Sequence, residues 1–134
     1  MRVKLTSVPV SDVEAARRFY VETLDFVVKR DEPMGEARLV TLVSRDEPDG
    51  CRLMLEPCGE HPATRTFKAA IYAEGMPIAA FEVDDVAAEY ERLKARGVSF
   101  RGEPAEMGGE RVAVFDDTCG NLIMIYEARR AAED

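Results

Sequence analysis

No apolar run in this chain of 134 residues approaches the roughly 20 needed to cross a bilayer, so a membrane is not expected as a main partner. The opening residues, Met1-Arg2-Val3-Lys4-Leu5, hold no long apolar segment and no small-residue cleavage site, so no signal peptide is expected. Cysteine is scarce. The three present (Cys51, Cys58, Cys119) cannot all pair within the chain, which points to a reducing cytoplasm rather than a disulfide framework. Basic residues are outnumbered, 18 Lys and Arg against 26 Asp and Glu, leaving a net charge of −8. Phosphate backbones are held through Lys and Arg, and those present are scattered rather than striped, so nucleic acid is rejected as well. What is there suffices for a soluble core. Hydrophobic residues make up 46% and charged residues 33%, which fits one compact domain or two small modules sharing a core.

Val3–Val10 is apolar, rich in β-branched residues and stopped by Ser11-Asp12, the pattern of a first strand. Ser11 and Glu14 have capping-box spacing, and Val13, Ala16, Tyr20 and Leu24 then form one helical stripe. Phe26–Lys29 resumes as a strand, Asp31–Glu36 reads as a Pro/Gly loop, Leu39–Ser44 as a strand and Arg45–Gly50 as a turn. Arg52–Glu56 closes the group as a strand. Pro57–Thr66 is expected as a linker, and Thr66–Ala73 as a helix ended by Gly75 and Pro77. The pattern then recurs: strand Ile78–Val83, a helix capped by Asp84 or Asp85 and ending at Gly97, strand starts at Val98–Phe100 and loop Gly102–Gly109. Strand Arg111–Phe115 and a final strand within Gly120–Glu127 complete it. Val10-Ser11-Asp12-Val13 matches Val83-Asp84-Asp85-Val86, and Gly50 and Met54 match Gly120 and Met124. The chain reads as one β-α-β-β-β unit written twice: module 1 over 1–57, module 2 over 77–127, joined by 58–76.

This duplication resembles the vicinal oxygen chelate superfamily of glyoxalase I, bleomycin-resistance proteins and extradiol dioxygenases. The residues that carry the resemblance are Asp12…Ala15-Ala16-Arg17-Arg18-Phe19-Tyr20…Leu24-Asp25-Phe26, then Phe81-Glu82-Val83-Asp84-Asp85-Val86…Leu93…Gly97-Val98, and the turn Phe115-Asp116-Asp117-Thr118-Cys119-Gly120-Asn121-Leu122. Asp25 stands where such proteins often carry Gly, and Thr118-Cys119 replace the usual Pro-x. The resemblance implies an α+β fold of two βαβββ modules, with a cupped mixed sheet, helices packed outside and sites enclosed between half-barrels. In metal-dependent relatives, ligands come from the first and last strands of each module. The matching positions here are Leu5, Met54, Ile78 and Met124. Leu and Ile have no donor atom, and a Met thioether suits soft Cu(I) rather than Mg, Mn, Zn or Fe(II). No cofactor is therefore expected, with a divalent metal as the alternative.

Strand alternation puts Arg52, Met54 and Glu56 on one face, with Leu5 and Ser7, Ile78, Ala80 and Glu82, and Met124 and Tyr126 as the corresponding sets of the other strands. The family geometry would turn these sets toward the cavity. Glu56 has two readings: a general base raised by apolar neighbours (or a metal ligand if the register slips by one pleat repeat), or a rim carboxylate paired with Arg52 or Arg38. Arg38, Arg52 and Arg111 are candidate anchors for a carboxylate or phosphate on a ligand, with pairing to the many surface carboxylates as the plainer reading of each. Cys51, Cys58 and His61 match no standard zinc spacing, and Asp116-Asp117 read as turn caps.

Two functions are weighed. One is a homodimeric binding protein for a small amphipathic molecule, like the bleomycin-resistance branch. The other is a lyase, isomerase or dioxygenase of the same superfamily, working through Glu56. A scaffold without ligand is a third reading.

Overall fold

In the computed structural model, which describes residues 1–58 and 60–128, each half of the chain builds a four-stranded sheet with its helix against one face. The first half runs β1 (Leu5–Pro9), α1 (Val13–Arg18) with a wider π turn over Phe19–Thr23, β2 (Val27–Met34), β3 (Ala37–Val43) and β4 (Arg52–Glu56). The second runs β5 (Ala79–Val83), α3 (Val86–Ala95), β6 (Ala105–Met107), β7 (Glu110–Asp116) and β8 (Leu122–Glu127), and α2 (Pro62–Ala73) lies between them. The sheet orders, β1-β4-β3-β2 and β5-β8-β7-β6, are the same topology twice. The expected α+β fold of two βαβββ modules is thus present, each module forming its own four-stranded mixed sheet. Their registers agree as well: Ser7 faces Met54 across parallel β1 and β4, and Ala80 faces Met124 across parallel β5 and β8.

Local chemistry sets most boundaries and corrects several expected ones. Asp12, rather than Ser11, caps α1: its Oδ1 accepts from Ala15 N at 3.0 Å, while Glu14 turns away to Arg38. Asp85 repeats that cap on α3 through Ala88 N. The loop expected over Asp31–Glu36 is mostly strand, because β2 is an edge strand and tolerates Pro33 without losing a ladder bond; only Gly35-Glu36 turn. α2 starts four residues before the expected Thr66, with Pro62 in its first turn, where a missing N–H costs nothing. Phe100 makes only an isolated bridge to Phe115, and the next strand waits until Ala105.

Alternation decides the layers. Val8, Val10, Leu42, Leu53 and Leu55 of the first sheet and Ala113, Phe115, Ile123 and Ile125 of the second point toward the helices. There they join Ala16, Tyr20, Val86 and Leu93 in one continuous core. At its centre is a buried carboxylate. Asp117 is wholly buried and accepts from the Tyr20 hydroxyl at 2.6 Å, from Asn121 Nδ2 at 2.9 Å, and from the amides of Cys119 and Asn121 at 2.8 and 3.1 Å. Asn121 Nδ2 also donates to the Pro9 carbonyl at 3.0 Å, so the turn before β8 is bonded to both α1 and β1 of the other half. Burial, and then the Asp117 charge, push the Tyr20 hydroxyl well above its ordinary pKa, keeping it a proton donor.

A second junction lies at Asp25, whose φ of +67° is one that glycine favours. Its carboxylate accepts from Arg92 at 2.8 Å and from Arg96 at 2.9 Å, both on or just after α3. Partial burial raises its pKa, but the hydrogen bonds from Arg96 and Arg92 outweigh that and hold it below the ordinary 3.8. α2 is attached by polar contacts: buried Lys68 donates from Nζ to the Cys119 carbonyl at 2.7 Å, and the Tyr72 hydroxyl donates to Asp116. No helix among the described residues is long and apolar enough to cross a membrane.

Two predictions follow from these junctions. Tyr20→Phe leaves one lone pair of a buried carboxylate without its donor, and urea unfolding should show a loss of about 1–3 kcal/mol. The Asp25 contribution is full above pH 3.8 and disappears as pH falls through its lower folded pKa, because a depressed carboxylate stabilises only while ionised. Melting curves from pH 6 down to about pH 2.5 should therefore fall less steeply for Asp25→Asn, which starts from a lower value.

Candidate functional site

The faces away from the helices carry the expected site. On the first sheet, Leu5, Ser7, Met54 and Glu56 are out of phase with the buried Val8, Leu53 and Leu55, which points them away from the core. On the second, Ala80, Glu82, Met124 and Tyr126 stand out of phase with Phe81, Ile123 and Ile125 in the same way. Ile78 enters this sheet through its amide, which donates to the Leu122 carbonyl at 2.8 Å. Both faces are partly open: Leu5 is 47% exposed, and Met34 and Met107 on the same sides are 45% and 57% exposed, while Thr41, Val112 and Leu122 in phase with them are buried.

Arg52 shares this face and opens onto a shallow hollow lined also by Lys4, Lys29 and Asp49, three cations against one carboxylate. The other two arginine anchors lie elsewhere. Arg38 is in phase with Val40 and Leu42 and is held by Glu14 at 2.6 Å and Asp31 at 2.7 Å on the helix side, in contact with neither Glu56 nor the open face. Those carboxylates push its pKa up beyond the ordinary arginine value. Arg111 is in phase with Ala113 and Phe115 and lies 3.7 Å from Glu106, also on the helix side. Glu56, opposite Pro9 at the end of β4, is half-buried, and its backbone carbonyl accepts from Val10 N at 2.9 Å.

The sequence reading passed over Thr41. It pairs with Met54 on β4 and Arg30 on β2, is 3% exposed, and its Oγ1 is buried without a hydrogen-bond partner among the described residues. The signal was a lone hydroxyl in Leu39-Val40-Thr41-Leu42-Val43, in phase with the open face. Cys119 is half-buried rather than exposed, and burial followed by the Asp117 charge pushes its thiol up to about 11, so it is a poor nucleophile.

A family model described as the Glyoxalase/Bleomycin resistance protein/Dioxygenase superfamily matches residues 2–125. The chain belongs to that superfamily. It is 50% identical over 127 residues to the uncharacterized protein YurT of Bacillus subtilis (strain 168), covering 95% of this chain and 99% of that one. Among solved structures it is similar to UcmS2, with a TM-score of 0.80 and 31% identity over 96% of this chain and 98% of that one. It is also similar to TnmS3, an antibiotic binding protein from Streptomyces sp. CB03234, with a TM-score of 0.75 and 31% identity over 96% and 97% of the two chains.

Metal-dependent members of this superfamily set the test of fit. The positions that would ligate are Leu5, Met54, Ile78 and Met124, which offer no imidazole or carboxylate, and among the described residues no three His, Cys, Asp or Glu side chains converge to hold an ion. Cys51, Cys58 and His61 form no such group either. The donor set does not fit the metal. Micromolar Mn, Ni, Zn or Fe(II) should accordingly leave the melting temperature within about 1 °C of the metal-free value; a rise of several degrees would mark a metal site, by linkage of binding to folding.

Proposed function

We propose that this protein binds a small amphipathic molecule in an apolar, metal-free cavity on the open sheet faces, and that a second copy of the chain completes that cavity. The single observation that carries the reading is the nature of the four in-phase positions: Leu5, Met54, Ile78 and Met124 put an apolar floor where donor atoms would hold a metal. Similarity to an antibiotic-binding protein over nearly the whole chain supports a ligand of drug-like size. The exposed Leu5, Met34 and Met107 support closure by another copy, since large apolar side chains on an open face mark an interaction surface.

The energetics favour a ligand with a polar end. Burying ~250 Å² of apolar ligand surface gives about 6 kcal/mol, of which association consumes several. Arg52, with Lys4 and Lys29 beside it, supplies a rim contact for an acidic group. Glu56 supports the runner-up, an enzyme of the lyase, isomerase or dioxygenase type, through its place on the same face.

Titration with 8-anilinonaphthalene-1-sulfonate, an aromatic sulfonate, tests the reading. The wild type should show a saturable rise in fluorescence. Met54→Arg should abolish it at unchanged melting temperature, and Arg52→Ala should weaken it about tenfold, the ~1.4 kcal/mol of one charge-assisted contact. Equal binding by all three proteins would contradict the assignment. Turnover of a bound compound that stops in Glu56→Gln would favour the enzyme.

A further inference from the structure

A groove of about 500 Å³ opens on the other side of the molecule, where the halves meet. Its size lies within the range of small-molecule sites, and junctions between modules are common places for them. Phe26 and Phe81 form its floor, one ring from each half, edge to face with centroids 5.5 Å apart and both half-buried. Phe81 pairs with Ile125 on the core side of the second sheet, so the groove floor and the apolar positions of the open face lie on opposite sides of that sheet, with Glu82 at the rim as the one open-face candidate that also borders the groove.

The charge around this floor is one-sided. Six carboxylates line it (Asp25, Asp46, Glu82, Asp84, Asp85 and Glu89), against Arg45 and Arg92. Arg92 is not available to an anion on favourable terms, whereas Arg45 is 68% exposed and only loosely held. Arg92 donates to Asp25 and to Glu89, and Arg45 extends to within 3.9 Å of Asp25. An incoming anion would have to take Arg92 from two carboxylates, whereas a cation meets Asp46 and Asp84, both exposed and neither engaged in an ion pair among the described residues. The net charge of −8 adds attraction of the same sign. Aromatic rings below and carboxylates above are complementary to an organic cation with an apolar ring: the ring packs on Phe26 and Phe81, and the ammonium sits among the carboxylates within reach of a ring face.

We propose that the groove between the halves is a second small-molecule site, distinct from the open faces, that takes aromatic ammonium compounds. It does not depend on the function proposed above. Amide chemical-shift titrations of the full chain with phenethylammonium and with its anionic counterpart 3-phenylpropionate test it. Phenethylammonium should produce saturable shifts at Phe26, Phe81, Asp84 and Ala88, with 3-phenylpropionate at least about tenfold weaker, as expected where one sign of charge is favoured. Ala88 is exposed on α3 and lines the groove, so Ala88→Trp should fill it and remove the shifts at unchanged melting temperature. The double variant Asp46→Asn, Asp84→Asn should weaken binding several-fold, and Met54→Arg should leave it unchanged. Overturning results would be equal affinity for the two compounds, binding undisturbed by Ala88→Trp, shifts confined to the open faces, or no saturation by about 10 mM, a concentration that would reveal even a weak site.

Discussion

A carboxylate without solvent holds the two halves of this protein together. Donors meet the buried Asp117 carboxylate from several directions: the Tyr20 hydroxyl from the first half, and Asn121 and two turn amides from the second. Uncompensated burial of such a charge would cost several kcal/mol, so geometry that departs from this arrangement is penalised heavily. Asn121 extends the same constraint to the Pro9 carbonyl. Once the turn is fixed, β8 is placed against β5 and the register that pairs Ala80 with Met124 follows. Asp25, in the position where related chains often have Gly, adds a second tie by turning an otherwise strained backbone into a carboxylate bridge to α3.

Duplication makes each face of the molecule appear twice, and the two sides have diverged in character. The helix side is consumed by the core and by ion pairs such as Arg38 with Glu14 and Asp31. Under the proposed reading the open side carries Leu5, Met54, Ile78 and Met124 at the positions that the resemblance assigns to metal ligands. Converting them together is physically coherent, because a carboxylate left without its metal would sit uncompensated among apolar neighbours. The α2 helix repeats the contrast on a small scale: Lys68 and Tyr72 bind it to the turn, while Phe67 remains 55% exposed.

The repeat and the strand order were legible because period-2 alternation, turn residues and acidic caps are local signals. Arg52–Glu56 is one strand whose bounds follow from them directly. Other features depend on partners far along the chain. Asp116 and Asp117 both cap the turn as read, accepting from Thr118 N and from Cys119 N and Asn121 N, but nothing near Asp117 announces its burial or its bond to Tyr20, 97 residues away. Pro33 looked like a loop residue because its tolerance depends on β2 being an edge, a property of the assembled sheet. Arg38 and Arg111 take the carboxylate partners that were one of their two readings: in phase with Val40 and Ala113 they belong to the helix side, which alternation on β3 and β7 also indicates.

Native mass spectrometry of the purified protein tests the central account most directly, because copy number and bound metal appear in one spectrum. A metal-free, open-faced chain completed by its twin predicts a principal species at twice 14.9 kDa, without metal adducts that survive mild activation. A monomer persisting at tens of micromolar, or a stoichiometric divalent ion in the complex, would contradict it.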